Sequence, residues 1–351
     1  MSREVFDEIS SKVFKSLEFD QTIHFNWHSG EPLIAGIPFY EYVFEQTHTH
    51  KQPNQKVIHS LQTNGVLINQ KWCDFFNQKS FELGISIDGP EFIHNINRKS
   101  WKGRGSFELV SRGISYLRKN NIVLRGLAVL TKDSLDYPRE IFHYFLNEGF
   151  HTLAFNIEEQ VSANINHYLK RGTDGYEEIY DKFLNFWSTL FDLWWIHQDK
   201  IKVREFDVIS KMIYRKKMDD NYSAYNIEVD ELAILTINSK GGISTHSPEM
   251  ASGTSDDQDR FIVTNIYDIQ NLSEIKLSSK YQDINRDIQI GVANCKKECQ
   301  YFDFCGGGSP ACKYYENKSF KGTETGWCAL DKQQLISLVI NKYRDLTMQK
   351  N

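Results

Sequence analysis

Five short apolar runs, each closed by a polar tip, recur between residues 20 and 160 with helical stretches between them. They fall at roughly 22–27, 56–62, 83–87, 122–129 and 151–156. The intervening segments read as helices. "PFYEYVFEQTH" is one. "INQKWCDFFNQ" is another, with Ile68, Trp72, Phe75 and Phe76 on one face. "GSFELVSRGISYLRKNN" follows, and "YPREIFHYFLNEGF" carries Pro138 in its first turn. Strand and helix alternating at this spacing predict parallel βαβ units, an α/β fold of five strands. The strand ends carry "HSGEP" (28–32), "QTNG" (62–65), "SIDGP" (86–90), "AVLT" (128–131) and "FNIEE" (155–159). Taken singly, each is an ordinary loop. Gathered at the C-terminal side of a parallel sheet, they form a ligand-binding rim.

The remaining chain has a different character. From 160 to 220 it is mostly helical. "TDGYEEIYDKFLNFWSTLFDLWWI" opens on an Asp174-x-x-Glu177 cap pattern. Its stripe of Tyr176, Ile179, Tyr180, Phe183, Trp187, Leu190, Phe191 and Trp194 reads as core or as an interface between domains, ahead of a substrate groove. From 230 on, "LAILTINSKGGISTHSPE" predicts a β-hairpin turning at or near Gly241-Gly242, and "LDKQQLISLVINKYRDL" a final amphipathic helix. A chain of 351 residues, 40% hydrophobic, can bury a large core in two domains. The net charge of −5 gives no ground for nucleic acid or an anionic membrane as partner. The N-terminal pattern of Val5, Ile9, Val13, Phe14 and Leu17 is an amphipathic helix without the apolar core of a signal peptide. A cytoplasmic location is the default, and there cysteines stay reduced.

Six cysteines are present, and three crowd into "CKKECQYFDFCGGG": Cys295-x3-Cys299-x5-Cys305, followed by Cys312 and Cys328. Four thiolates suffice for Zn²⁺ or for an iron–sulfur cluster. The paired C-x2-C knuckles that zinc sites favour are lacking. The spacings of three and five, with Gly306-Gly307-Gly308 behind them, favour a larger object wrapped by backbone. Cys73, beside Trp72, reads as a small buried hydrophobe. His48 and His50 read as solvated. His28 could line the rim, although a single histidine more often satisfies a local hydrogen bond.

The quoted strand tips, with "SIDGP…R…G.GSFELV" and "C…C.YFDFCGGG.P.…YYENKSF.GTETGWC", resemble radical S-adenosylmethionine (SAM) enzymes with a C-terminal SPASM-type domain. Within that group the likeness is greatest to maturases that form three-residue cyclophanes in glycine-rich-repeat peptides. It runs from about residue 2 to 345. The resemblance implies a partial (β/α)6-type barrel lacking its first strand over 1–160, a helical bridge over 161–229 and an auxiliary-cluster domain over 230–351. It implies that Ser29, Gly30, Glu31 and Pro32 form the motif whose backbone receives the amino group of SAM. Asn64, Ser86 and Asp88 would line its ribose and carboxylate, and Asn156 and Glu158 match the last strand-tip motif. Cys295, Cys299, Cys305 and Cys328 would hold an auxiliary [4Fe–4S] cluster with no open iron site, and Cys312 would be a bystander. The implied function is radical SAM-dependent C–C crosslinking of a ribosomally made precursor peptide, with an electron-donor protein as second partner and no role for nucleic acid or membrane.

The departure from the pattern is the C-x3-C-x2-C motif, whose cysteines bind the [4Fe–4S] cluster that cleaves SAM. It occurs nowhere in the chain. One expectation is that the true start lies upstream of Met1, or that the gene is truncated. The competing one is a cluster-less relative that binds a peptide or serves as a partner subunit. A further rival is a sulfatase-maturating enzyme, although those carry more C-terminal cysteines, usually enough for two auxiliary clusters. Without a strand before it, "TIHFNWH" is expected to leave an apolar edge open.

Overall fold

The computed structural model describes residues 1–16, 22–158, 173–251 and 259–348. Leu17, Glu159 and the stretch 160–172 of the expected bridge lie outside the described residues. Two compact units emerge. One takes Met1–Ser16, Glu159–Trp187 and Val208–Asn351, the other Leu17–Glu158 and Ser188–Asp207.

The chain opens with helix α1 (Arg3–Ser16). Its apolar face, Val5, Phe6, Ile9, Val13 and Phe14, is buried. It packs against two 3-10 turns of its own unit, Ile266–Asp268 and Leu272–Leu277.

The second unit is a parallel sheet in the order β1-β2-β3-β4-β5-β6. Its strands are β1 (Thr22–Trp27), β2 (Lys56–Thr63), β3 (Phe81–Ser86), β4 (Arg125–Leu130), β5 (Thr152–Ile157) and β6 (Lys202–Val203). Between them run α2 (Ile37–His50), α3 (Gln70–Gln78), α4 (Glu91–Asn97), α5 (Phe107–Lys119) and α6 (Pro138–Asn147). The α/β class and the five expected strands are present. β4 starts three residues later than the periodicity predicts, because the Ile122 amide donates to Leu117 O at 3.0 Å and Asn121 turns left-handed, at φ 55°, to close α5. β6 is a correction to the count of five. It pairs Thr152 with Lys202 and Leu153 with Val203, and two residues are too few to show a period of two.

β1 ends the sheet as an edge strand beside β2. The expected apolar edge is moderated by alternation. Thr22, His24 and Asn26 are exposed, and Ile23 is buried. Phe25 stacks on His59 of β2 at 5.3 Å, and Trp27 donates from Nε1 to His59 Nδ1 at 3.3 Å. Burial holds His59 neutral, its pKa lowered to about 4.

In the first unit, α7 (Asp174–His197) supplies its N-terminal half, and α8 (Arg204–Met218) its part from Val208 onward. The aromatic stripe of α7 runs across the boundary between the units and is buried: Phe183, Trp187, Leu190 and Phe191 are each 1% exposed or less. The predicted hairpin forms from β7 (Leu235–Ile237) and β8 (Gly242–Thr245), with β9 (Thr264–Asn265) added antiparallel to β8. Asn238 Oδ1 accepts from the amides of Lys240 and Gly242, which fixes the turn. Then come α9 (Ser279–Glu298), the single turn α10 (Phe302–Cys305), α11 (Pro310–Asn317), the single turn α12 (Gly326–Cys328), a π-helical turn (Ala329–Gln334) and α13 (Leu335–Met348). No described helix is long and apolar enough to cross a membrane.

α5 lies close against the loop after β2, and Gly113 permits it. A Cβ there would stand 2.3 Å from the Gly65 carbonyl oxygen, a backbone atom that cannot swing away. Gly113→Ala gains up to about 1 kcal/mol of helix propensity and loses more to overpacking. A net destabilisation of about 1–2 kcal/mol is expected, read as a lower midpoint in urea unfolding.

Candidate functional site

The strand tips of the sheet are bonded to one another through side chains. Ser29 and Gly30 take consecutive left-handed conformations, φ 70° and 62°, and turn the chain back after β1. Nothing lies within 4 Å of a Cβ built on Gly30. The Glu31 carboxylate then caps the 3-10 turn Pro32–Ala35, accepting from the Leu33 amide at 2.9 Å. It also accepts from Thr63 Oγ1 at 2.7 Å and the Asn64 amide at 2.8 Å, and so ties the β1 tip to the β2 tip. Asn64 Oδ1 in turn accepts from the Val66 amide. Gln62 Nε2 donates to Ser86 Oγ at 2.8 Å, linking β2 to β3.

Asp88 does for β3 and β4 what Glu31 does for β1 and β2. It is 6% exposed. It accepts from Arg98 Nε at 2.6 Å, Arg98 Nη2 at 2.9 Å and the Val129 amide at 2.9 Å. With three charge-assisted or amide bonds, its carboxylate is occupied by the scaffold. His94, whose pKa burial lowers to about 4, accepts at Nδ1 from the Asp88 amide and meets Ser106 Oγ at Nε2. Asn156 is exposed, and its Oδ1 accepts from Arg204 Nη2 at 3.1 Å. Arg204 also bonds Glu205, whose buried carboxylate takes the Phe155 amide at 3.0 Å. Burial raises the Glu205 carboxyl, against the opposing pull of Arg204. The Glu158 amide donates to Leu130 O at 2.9 Å.

Arg98, His94, Arg204 and Glu205 were not readable as site residues. Arg98 and Ser106 stand inside the stretch "SIDGP…R…G.GSFELV", but nothing local marks Arg98 as the partner of Asp88 ten residues before it. Arg204 and Glu205 follow a two-residue strand that left no pattern.

In the other unit, Cys295 lies in the last turn of α9, and the Cys299 amide donates to Cys295 O at 2.9 Å to close that helix. Cys305 ends α10. Gly306, Gly307 and Gly308 follow at φ 67°, 112° and 76°, all in the positive-φ region that favours glycine. A Cβ on Gly306 would sit 2.7 Å from Ala224 O. Cys328 is carried on α12, its amide capped by Thr325 Oγ1 at 2.9 Å. Burial pushes the Cys328 thiol up to about 12, and Cys305, Cys299 and Cys295 add to the push. Burial also raises Cys305, while the Lys332 charge and the Gly307 and Gly308 amides pull the other way. The four cysteines are therefore gathered within electrostatic reach, and backbone amides already face one sulfur. Among the described residues, no three His, Cys, Asp or Glu side chains stand close enough to share one metal ion. A zinc site needs four ligands about 2.0–2.3 Å from one point. A four-iron cluster gives each cysteine its own iron.

Cys312 is buried on α11, its amide donating to Ser309 Oγ at 3.5 Å. Cys73 is fully buried on α3, and burial raises its thiol to about 11. His48 is exposed, and His50 bonds Gln46 O within α2. His28 Nδ1 meets Ser29 Oγ at 3.2 Å.

Glu228 has a carboxyl raised to about 7, first by burial and then by Glu249 and Asp331, against Ser309 and Lys332. The folded state thus binds its proton more tightly than the unfolded chain, where the carboxyl titrates near 4.5. Its contribution to stability is fully present below that value and is lost as pH rises to about 7. Glu228→Gln should therefore gain stability relative to the unaltered protein across that window. Urea unfolding at stepped pH measures the difference, and a flat difference would count against this assignment.

No protein-family model matches the chain. The uncharacterized protein sll1766 of Synechocystis sp. is 36% identical over 343 residues, 96% of this chain and 83% of its own length. A cysteine-type anaerobic sulfatase-maturating enzyme of Clostridium perfringens is 27% identical over 316 residues, 89% of this chain and 80% of its own. Among solved structures, native anSMEcpe with bound AdoMet and Kp18Cys peptide superposes with a TM-score of 0.78 at 23% identity, covering 99% of this chain and 91% of that one. That last likeness establishes the fold. The chain belongs to the family of sll1766, and by its resemblance to the maturating enzymes it is an enzyme of the radical SAM maturase type.

Proposed function

We propose that this chain takes part in oxidising a side chain of a peptide substrate by radical SAM chemistry of the anaerobic sulfatase-maturating kind. The observation that carries this reading is likeness over nearly the whole length, in sequence to a sulfatase-maturating enzyme and in fold to one with AdoMet and a peptide bound. The backbone of Ser29–Pro32 would receive the amino group of SAM. Asn64, Ser86, Asp88, Asn156 and Glu158 would line the rest, and Glu31 and Asp88 would also hold the rim in register. Cys295, Cys299, Cys305 and Cys328 would hold an auxiliary [4Fe–4S] cluster, which supplies an electron-accepting centre when bound. The chain's own 351 residues include no C-x3-C-x2-C, so none of them can be assigned the reductive cleavage of SAM. An electron-donor protein would serve as second partner.

One observation favours cyclophane crosslinking as a second reading. The C-terminal part supplies a single four-cysteine set, where the resemblance gives sulfatase-maturating enzymes enough cysteines for two clusters.

The test is to express the gene anaerobically with the in-frame codons upstream of Met1, together with a peptide carrying a sulfatase-type Cys or Ser site or a glycine-rich-repeat precursor. The expected outcome is 5′-deoxyadenosine formation and a peptide aldehyde captured by a hydrazide. Loss of two hydrogens without hydrazide capture, with fragments that stay linked, assigns crosslinking instead. Peptide binding without any consumption of SAM overturns both readings.

A further inference from the structure

Lys313 is a buried lysine, 4% exposed, on α11. Its stem passes beneath the glycine run, with Cε 3.6 Å from where a Gly308 Cβ would lie. Its ammonium donates to Gly291 O at 3.2 Å and to Cys295 Sγ at 3.2 Å. Gly291 makes room for this arrangement. A Cβ there would stand 3.3 Å from Lys313 Nζ and 2.1 Å from Phe320 O.

The chemistry of the Cys295 contacts is asymmetric. Sγ also meets Thr323 O at 3.4 Å and Gly307 O at 3.8 Å. Both are carbonyl acceptors, so only a protonated thiol can bond to them. Once the sulfur is a thiolate, Lys313 is the partner of the three that can donate to it. An ammonium removed from water costs several kcal/mol unless an anion answers it. Lys313 bonds a carbonyl and a sulfur, and of the two only the sulfur can become an anion.

We propose that Lys313 is a positioning residue whose ammonium, bonded to Cys295 Sγ, stabilises the more negative, reduced state of the four-cysteine cluster. This rests on the reading of Cys295, Cys299, Cys305 and Cys328 as cluster ligands. One-electron reduction adds one negative charge to a thiolate-ligated cluster. A fixed cation and a hydrogen bond to a ligand sulfur both favour that charge and move the potential upward. Lys332 differs in its setting. Its Nζ is paired with Asp331 at 2.8 Å, and its side chain is 37% exposed.

The test uses the full chain, anaerobically reconstituted with iron and sulfide, as wild type, Lys313→Met, Lys313→Arg and Lys296→Met. Lys296 adjoins Cys295 in sequence but is exposed, so solvent and salt screen its charge. Iron and sulfide content is measured first, and the midpoint potential by redox titration followed by electron paramagnetic resonance. Lys313→Met is expected to weaken electron uptake about tenfold, a fall of about 59 mV for one electron. Lys313→Arg and Lys296→Met should stay near wild type. An unchanged potential in a fully loaded Lys313→Met protein overturns the proposal. If Lys313→Met loads no cluster, Lys313→Arg decides: loading there shows that the charge is required and supports the proposal, and equal loss there shows a space-filling role and overturns it. A wild-type chain that takes up no iron fails the cluster reading itself and is distinguished at the first measurement.

Discussion

A parallel sheet leaves backbone donors and acceptors unsatisfied at the C-terminal end of every strand, where the ladder stops and the loops diverge. In this protein two carboxylates meet that need. Glu31 takes amide and hydroxyl protons from the β1 and β2 tips. Asp88 takes a guanidinium and the Val129 amide across β3 and β4. Gln62 and Ser86 bridge the two pairs. The rim is therefore a bonded arc. Ser29 and Gly30 enter it in consecutive left-handed conformations, just before Glu31.

The cysteine-bearing unit solves a different problem, which is to gather acids that would rather stay protonated. Burial raises the thiols of Cys305 and Cys328. Each thiolate formed there makes the next one harder to form. At Cys305 the Lys332 charge and the Gly307 and Gly308 amides offset this. The Gly307 and Gly308 amides thus stand beside Cys305, and the close approach at Gly291 leaves room for the Lys313 ammonium.

Much of this was legible in the residues. The alternation of apolar runs and amphipathic helices announced the parallel sheet, because each element buries one face and so shows its period. The hairpin at Asn238–Gly242 was readable from its glycines. Three things were hidden. β6 is too short to have a period. The pairing of Asp88 with Arg98 depends on how the loop after β3 folds back. Lys313 reads as one more polar residue of an amphipathic helix, and only burial reveals that its ammonium ends on Cys295. The choice of chemistry was also read too finely. The motifs point to crosslinking, whereas a curated relative that matches most of the chain is named a cysteine-type anaerobic sulfatase-maturating enzyme.

The π-helical turn at Ala329–Gln334 sets Cys328 apart from the helix that continues after it. In an α-helix each residue advances the face by about 100°, so the direction of Cys328 would dictate which side of α13 is apolar. A wider turn inserts a phase step between them. Leu335, Ile336 and Val339 can then face the core on their own schedule, while the sulfur keeps its aim. The sequence of α13 is thereby released from the geometry of the cysteine site, and the two can drift separately without either losing its place.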